Sequence, residues 1–216
     1  MGIVETIALT MGIGWASGIN LYAAICTLGI LSATGNIALP ESLLILEDPM
    51  VIGAAGFMYA VEFFADKVPG VDTGWDTLHT FIRIPAGAVL AAGAVGELGP
   101  AAELAAGLVG GSLAAGAHAT KAGSRALINT SPEPFTNWTA SMAEDVAVIG
   151  GLWMALQNPV LFLAALVLFI LLIAWLLPKL LRGIRAVFRK VGGWLGISGS
   201  PSAPPSSVPQ RLPSQA

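Results

Sequence analysis

An all-α, polytopic transmembrane helix bundle of about six spans is the fold class this sequence predicts, and three observations predict it. Hydrophobic residues make up 55% of the chain and charged ones 11%, whereas water-soluble domains carry about 25% charged residues. Apolar runs near the ~20 residues that cross a bilayer recur along the chain. The basic side chains gather on alternate connections between those runs.

Each element has its own justification. The first run, within 3–34, has glycines at 12, 14 and 18 and is long enough to be tilted or broken. The second, 49–67, starts at Pro49. The third, 73–98, contains Pro85 and is expected to kink there. The fourth, 101–129, is opened by Pro100, the fifth covers 135–157, and the sixth, 159–181, is opened by Pro159. Proline in a first helical turn forfeits no hydrogen bond, which supports three of these starts. Segments two to five form two helical hairpins with polar ends. Residues 1–181 are read as the transmembrane domain, 182–196 as a basic amphipathic juxtamembrane segment, and 197–216 as a disordered Ser/Pro-rich tail.

Charge gives the orientation. Residues 1–178 hold four basic side chains (Lys67, Arg83, Lys121, Arg125) and all thirteen acids, while 179–216 hold six basic side chains and no acid. The connections 35–48 and 98–103 carry or border Glu41, Glu47, Asp48, Glu97 and Glu103 without a Lys or Arg. Basic segments stay cytoplasmic, so six spans place both termini in the cytoplasm. The N-terminal MGIVETIALT has no Lys or Arg, and the run that follows is too long for a signal peptide. Cys26 lies in an apolar run and reads as packing.

Placed on helices, the charges form stripes. Asp72, Asp76, His79 and Arg83 stand at 0, 4, 7 and 11; His118, Lys121, Arg125 and Asn129 stand at 0, 3, 7 and 11. At about 3.6 residues per turn each set lies on one face. Glu62 and Asp66 end the second helix; Asn137, Ser141, Glu144 and Asp145 begin the fifth. A helix starting after Asp145 would be too short to cross the bilayer, so these charges lie within the span or at its interface. Charges there cost about 2.5 to 3.5 kcal/mol each unless paired or wet. The stripes are therefore expected to converge on a polar pocket open to the cytoplasm. The substrate-binding set is Glu62, Asp66, Asp76, His79, Arg83, His118, Lys121, Arg125, Asn129, Glu144 and Asp145.

Bland readings compete with this one. Lys67 and Lys121 are able to snorkel to the interface. Asp72 or Thr73 reads as a helix N-cap, with Thr73-x-x-Asp76 like a capping box, and Ser131 before Pro132 as another cap. Gly14-x-x-x-Gly18 and Gly107-x-x-x-Gly111 read as packing inside the bundle more readily than as dimer contacts. Asp72, Asp76 and His79 have helical ligand spacing, but Arg83 on the same face argues against a metal. No catalytic residue, cofactor or nucleic-acid partner is implied, and no serine-protease, P-loop or dinucleotide motif is present. A shift of 63 positions sets Pro69 on Pro132, Thr73 on Thr136, Trp75 on Trp138 and Gly87 on Gly150. An inverted repeat would instead pair 17–20 with 115–118.

The segments VEFFADKVPGVDTGWDTLHTFIR (61–83), HATKAGSRALINTSPEPFTNW (118–138) with AEDV (143–146), and ASGINLY (16–22) resemble a bacterial membrane-protein family of unknown function, numbered 4126. The similarity covers about residues 10–160. It implies an integral inner-membrane protein of bacterial type and carries over no activity.

Three functions follow as expectations. The leading one is a transporter or channel for a small ionic solute, with His79 and His118 coupling it to protons, since imidazole titrates near ~6.5. The second is a protein that binds or acts on a lipid headgroup or polyprenyl phosphate, held by His118, Lys121 and Arg125. The third is a membrane scaffold with structural ion pairs, whose basic C-terminal segment docks a partner or anionic lipid. Membrane lipids are the expected partners, and a homo-oligomer is compatible with all three.

Overall fold

The computed structural model describes residues 1–68, 70–129 and 134–194. Among the described residues six α-helices follow in order: α1 (Ile3–Ala33), α2 (Pro49–Ala65), α3 (Val71–Gly93), α4 (Pro100–Ile128), α5 (Pro134–Gln157) and α6 (Pro159–Trp194). Short 3-10 turns occupy Glu41–Glu47 and Gly96–Leu98, and the described residues contain no strand. Proline at 49, 100, 134 and 159 opens four of the helices. The third helix ends at Gly93, earlier than expected. The sixth runs through Pro178 and past residue 181 to Trp194. Ser131, Pro132, Pro69 and the tail 197–216 lie outside the described residues. Two compact units divide the chain, Met1–Ile184 and Arg185–Ala216; in the second, the helix persists to Trp194.

The polar and apolar residues are turned inside out. Arg83, Arg125 and Glu62 are completely buried, whereas Phe81 is 80% and Leu168 68% exposed. Water would punish that distribution, and lipid would reward it. By length and composition two helices, Ile3–Ala33 and Pro159–Gly183, are apolar enough to cross a membrane. Glu41–Glu47 with Pro49–Ala65, bent by 66°, makes a third if taken together.

The first of these is not one rod. Asn20 leaves helical geometry (φ −147°, ψ 96°) in the middle of α1. A straight helix of 31 residues would hold its ends about 46 Å apart. Yet Met1 and Glu5 line a single groove with Asn36, Ile37, Ala38 and Leu156. The helix therefore folds back on itself at Asn20, into a first half 3–19 and a second half 21–33. Neighbours on both arms agree. Gly14 faces Gly110 and Gly18 faces Ala114, so the first arm runs parallel to α4. Cys26 faces Gly56 and Gly29 faces Ile52, so the second arm runs antiparallel to α2.

The bundle thus has an acidic end, which holds Met1, the 36–40 turn and the α3–α4 and α5–α6 connections. Residues 66–68, 70–72, 125–129 and Gly183, which packs on Leu127, form the opposite, basic end. Met1 lies at the end of the bundle opposite the basic one, because the first hydrophobic run returns to where it began.

Small residues make the fold-back possible. A Cβ at Gly18 would strike the Ala114 carbonyl, and one at Gly14 would sit 2.7 Å from the Gly110 Cα. Gly107 and Gly111 meet Ala88 of α3. Both small-residue motifs therefore pack inside the bundle, as their spacing suggests. Leu9, Ile13, Leu28, Leu43, Leu152 and Phe162 belong to the apolar core around the α1 arms.

Candidate functional site

Beneath the α1 bend the four polar stripes meet. Arg83 of α3 spreads its fork across two helices, from NH2 to Glu62 Oε1 at 2.6 Å and from NH1 to Asp76 Oδ1 at 2.9 Å. Lys121 of α4 donates to Asp66 Oδ2 at 2.8 Å and Glu62 Oε1 at 3.2 Å, with Asp76 at 3.6 Å and Glu144 at 3.5 Å. Arg125, one helical level below, holds Glu144 through NH2 and Nε at 2.7 and 3.3 Å. Its NH1 donates to the backbone carbonyls of Asp66 and Asn137. Lys121 does not snorkel; it is buried at the centre.

The bend itself is built into this network. Ending a helix in a low-dielectric interior leaves carbonyls and amides without partners. Asn20 Oδ1 accepts from the Ala23 amide at 2.9 Å and so caps the second arm. The Ile19 carbonyl, at the negative end of the first arm, accepts from Lys121 Nζ at 3.2 Å. Asn20 Nδ2 donates to Asp145 Oδ1 at 3.2 Å, at the positive end of the second arm. Each half-helix end thus faces a group of opposite charge.

Both imidazoles have defined roles. Arg83 NH1 points at His118 Nδ1 at 3.3 Å, so that nitrogen carries no proton and Nε2–H donates to Thr80 Oγ1 at 2.7 Å. His79 donates from Nδ1 to the Trp75 carbonyl, meets the Tyr22 hydroxyl at Nε2, and stacks on Trp75.

Asn129 belongs to a separate clasp at the basic end. Its amide donates to both Asp72 oxygens and to Thr73, and it accepts from Asn137. Asp72 does not cap α3 from the N-cap position, which Gly70 occupies. It accepts from the Gly70 and Thr73 amides instead. Asp76 turns to Arg83 rather than closing a capping box.

All eleven residues of the expected set are therefore on this side of the bundle, ten of them around the network and Asn129 beside it. Cations and carboxylates fill the space between the helices in a close-packed cluster. Its most accessible side chain, Glu144, is 19% exposed. No group of three His, Cys, Asp or Glu side chains among the described residues is arranged to hold a metal. Asn20, Tyr22, Tyr59 and Thr80 were not in the expected set. Asn20 alone left a trace, as a lone amide deep in an apolar run. The 63-residue shift matches the starts of α3 and α5. The inverted pairing finds no counterpart to the Asn20 break, since α4 is continuous through His118.

The family described as Domain of unknown function (DUF4126) matches residues 7–179. The chain belongs to that family. The match takes in α1 from residue 7 onward and every residue of the cluster. No curated protein and no solved structure matches the chain.

Proposed function

We propose that this DUF4126 member is an integral protein of a bacterial inner membrane that carries or conducts a small ionic solute. The charged cluster beneath the α1 bend is its binding site. One observation carries the proposal above the others: a broken helix whose buried tip engages ionisable side chains at both half-helix ends. Non-helical backbone at membrane depth is tolerated only where protein or a polar cavity satisfies it, and transporters place such breaks at their ion sites.

In this arrangement α2 to α6 cross the bilayer and α1 is re-entrant from the acidic face. The basic end is cytoplasmic and Met1 is external. Every Lys and Arg still falls on the cytoplasmic side, with five crossings instead of six. The headgroup alternative gains no support, because Lys121 and Arg125 are turned onto carboxylates of their own chain. Scaffolding gains support from the closure of the cluster.

Purified full chain in liposomes, tested for flux of alkali cations, chloride and small carboxylates, separates the two. Flux that is lost in Lys121→Met and Arg83→Leu supports transport. No flux of any of these, with residues 179–216 required for cellular function, supports a scaffold.

A further inference from the structure

The network is short of positive charge. Glu62, Asp66, Asp76 and Glu144 each lie within 4 Å of a cation, and they share only Arg83, Lys121 and Arg125. Asp145 has no ion pair among the described residues, although only 7% of it is exposed. Its Oδ1 accepts from Asn20, and its Oδ2 is buried with no hydrogen-bond partner within 3.5 Å, the Tyr59 hydroxyl being the other side-chain donor that acts on this carboxylate. Glu62 Oε2, Asp66 Oδ1 and Asp76 Oδ2 are in the same condition, against a single leftover cationic nitrogen, Arg83 Nε. Four buried carboxylates and the half-buried Glu144 therefore share Arg83, Lys121 and Arg125, with Lys67 acting on Asp145 from further away. An uncompensated buried carboxylate costs several kcal/mol, which a bound cation or proton removes.

We infer that Asp145 is a proton-binding site of this protein, loaded on Oδ2 and tied through Asn20 to the tip of the re-entrant arm. Its role in solute movement rests on the proposed transport function; its occupancy does not. Tyr59, Glu62 and Lys67 of α2 and Lys121 of α4 act on Asp145 from the neighbouring helices. The two lysines are already engaged: Lys121 with Glu62 and Asp66, and Lys67 with the Phe63 carbonyl, Ser141 and the Phe63 ring. Asp76 and Arg83 of α3 reach the site through Glu62, and Arg125 of α4 through Glu144. Loading forms one O–H bond with a proton from water, and release returns it. Oδ1 stays an acceptor throughout, so the Asn20 contact survives both states while the charge beside the half-helix N-terminus changes. Proton release puts a negative charge at that positive end, and loading removes it.

Infrared difference spectra of the full chain in detergent, stepped across about pH 5 to 9, report protonated carboxylic acid directly. A carbonyl band that titrates in the wild type and in Asp72→Asn, is absent in Asp145→Asn and shifts in Asp145→Glu supports the assignment. A wild type without such a band, or a band unchanged in Asp145→Asn, overturns it. Asp145→Asn keeps the acceptor for Asn20 and is expected to fold. In liposomes, Asp145→Asn should slow pH-driven flux at least about tenfold. Flux that is undiminished and still pH-driven in that variant overturns the coupling and leaves transport standing. A titrating band without flux of any solute defeats transport and leaves the proton site.

Discussion

Lys121→Met is the sharpest test of the network. The side chain keeps its length and apolar stem, so packing changes little. The ammonium, however, touches Glu62, Asp66, Asp76 and Glu144 and donates to the Ile19 carbonyl. Removing one partner from a buried ion network costs about 3 to 5 kcal/mol, because the remaining charges stay desolvated. The orphaned carbonyl adds about 1 kcal/mol. At roughly 2 to 4 °C per kcal/mol for a chain of this size, thermal unfolding should fall by about 10 °C or more. Unfolding of the full chain in detergent, followed by its six tryptophans, provides the measurement. Glu62→Gln together with Lys121→Met removes one charge of each sign and should recover at least about 1 kcal/mol relative to the sum of the single changes. A Lys121→Met midpoint within about 0.5 kcal/mol of wild type would refute the network as a buried, load-sharing unit. Strict additivity of the pair would refute their contact.

Further outcomes follow from the fold-back. With Cys26 replaced, cysteines introduced at Gly2 and Asn36 should both react with an impermeant thiol reagent from outside intact cells, and one at Lys67 should not. Opposite labelling of Gly2 and Asn36 would make α1 a true span. Gly18→Ala should destabilise by about 1 to 3 kcal/mol through its clash with the Ala114 carbonyl, while Gly116→Ala, which meets nothing within 4 Å, should be nearly neutral. Asn20→Ala should cost about 1 to 3 kcal/mol in unfolding experiments, since it removes both the cap and the Asp145 contact.

The helices and the site were legible for different reasons. Proline at 49, 100 and 159 marks helix starts within a residue of where they occur, because its ring excludes most other positions in a helix. Charges at spacings of three, four and seven had to share a face, and their desolvation cost dictated that the faces meet. The first run was long enough to be tilted or broken, but that it folds back at Asn20 was not legible. Its two arms are apolar on all sides, so neither periodicity nor hydropathy distinguishes a hairpin of two half-helices from one long span. Charge counting could not detect it either. Six spans with both termini inside and five with an external N-terminus assign every Lys and Arg to the same side. Only contacts between residues far apart in sequence, such as Met1 beside Asn36, separate the two.

Stability alone gives a poor account of the cluster. Buried ion networks can often be replaced by apolar side chains of similar volume with no loss, and sometimes with a gain of about 1 to 4 kcal/mol. A bundle already held by Gly14 on Gly110 and Gly18 on Ala114 does not need buried arginines to associate its helices. A scaffold would also be expected to balance its buried charges. Here carboxylates outnumber cations, and Asp145, which has no ion pair among the described residues, touches the only non-helical residue inside α1. An excess of negative charge next to a helix break is a place where adding or removing one positive charge changes the energy of a hinge-like element. That coupling is what a carrier or gate requires, and apolar packing cannot supply it.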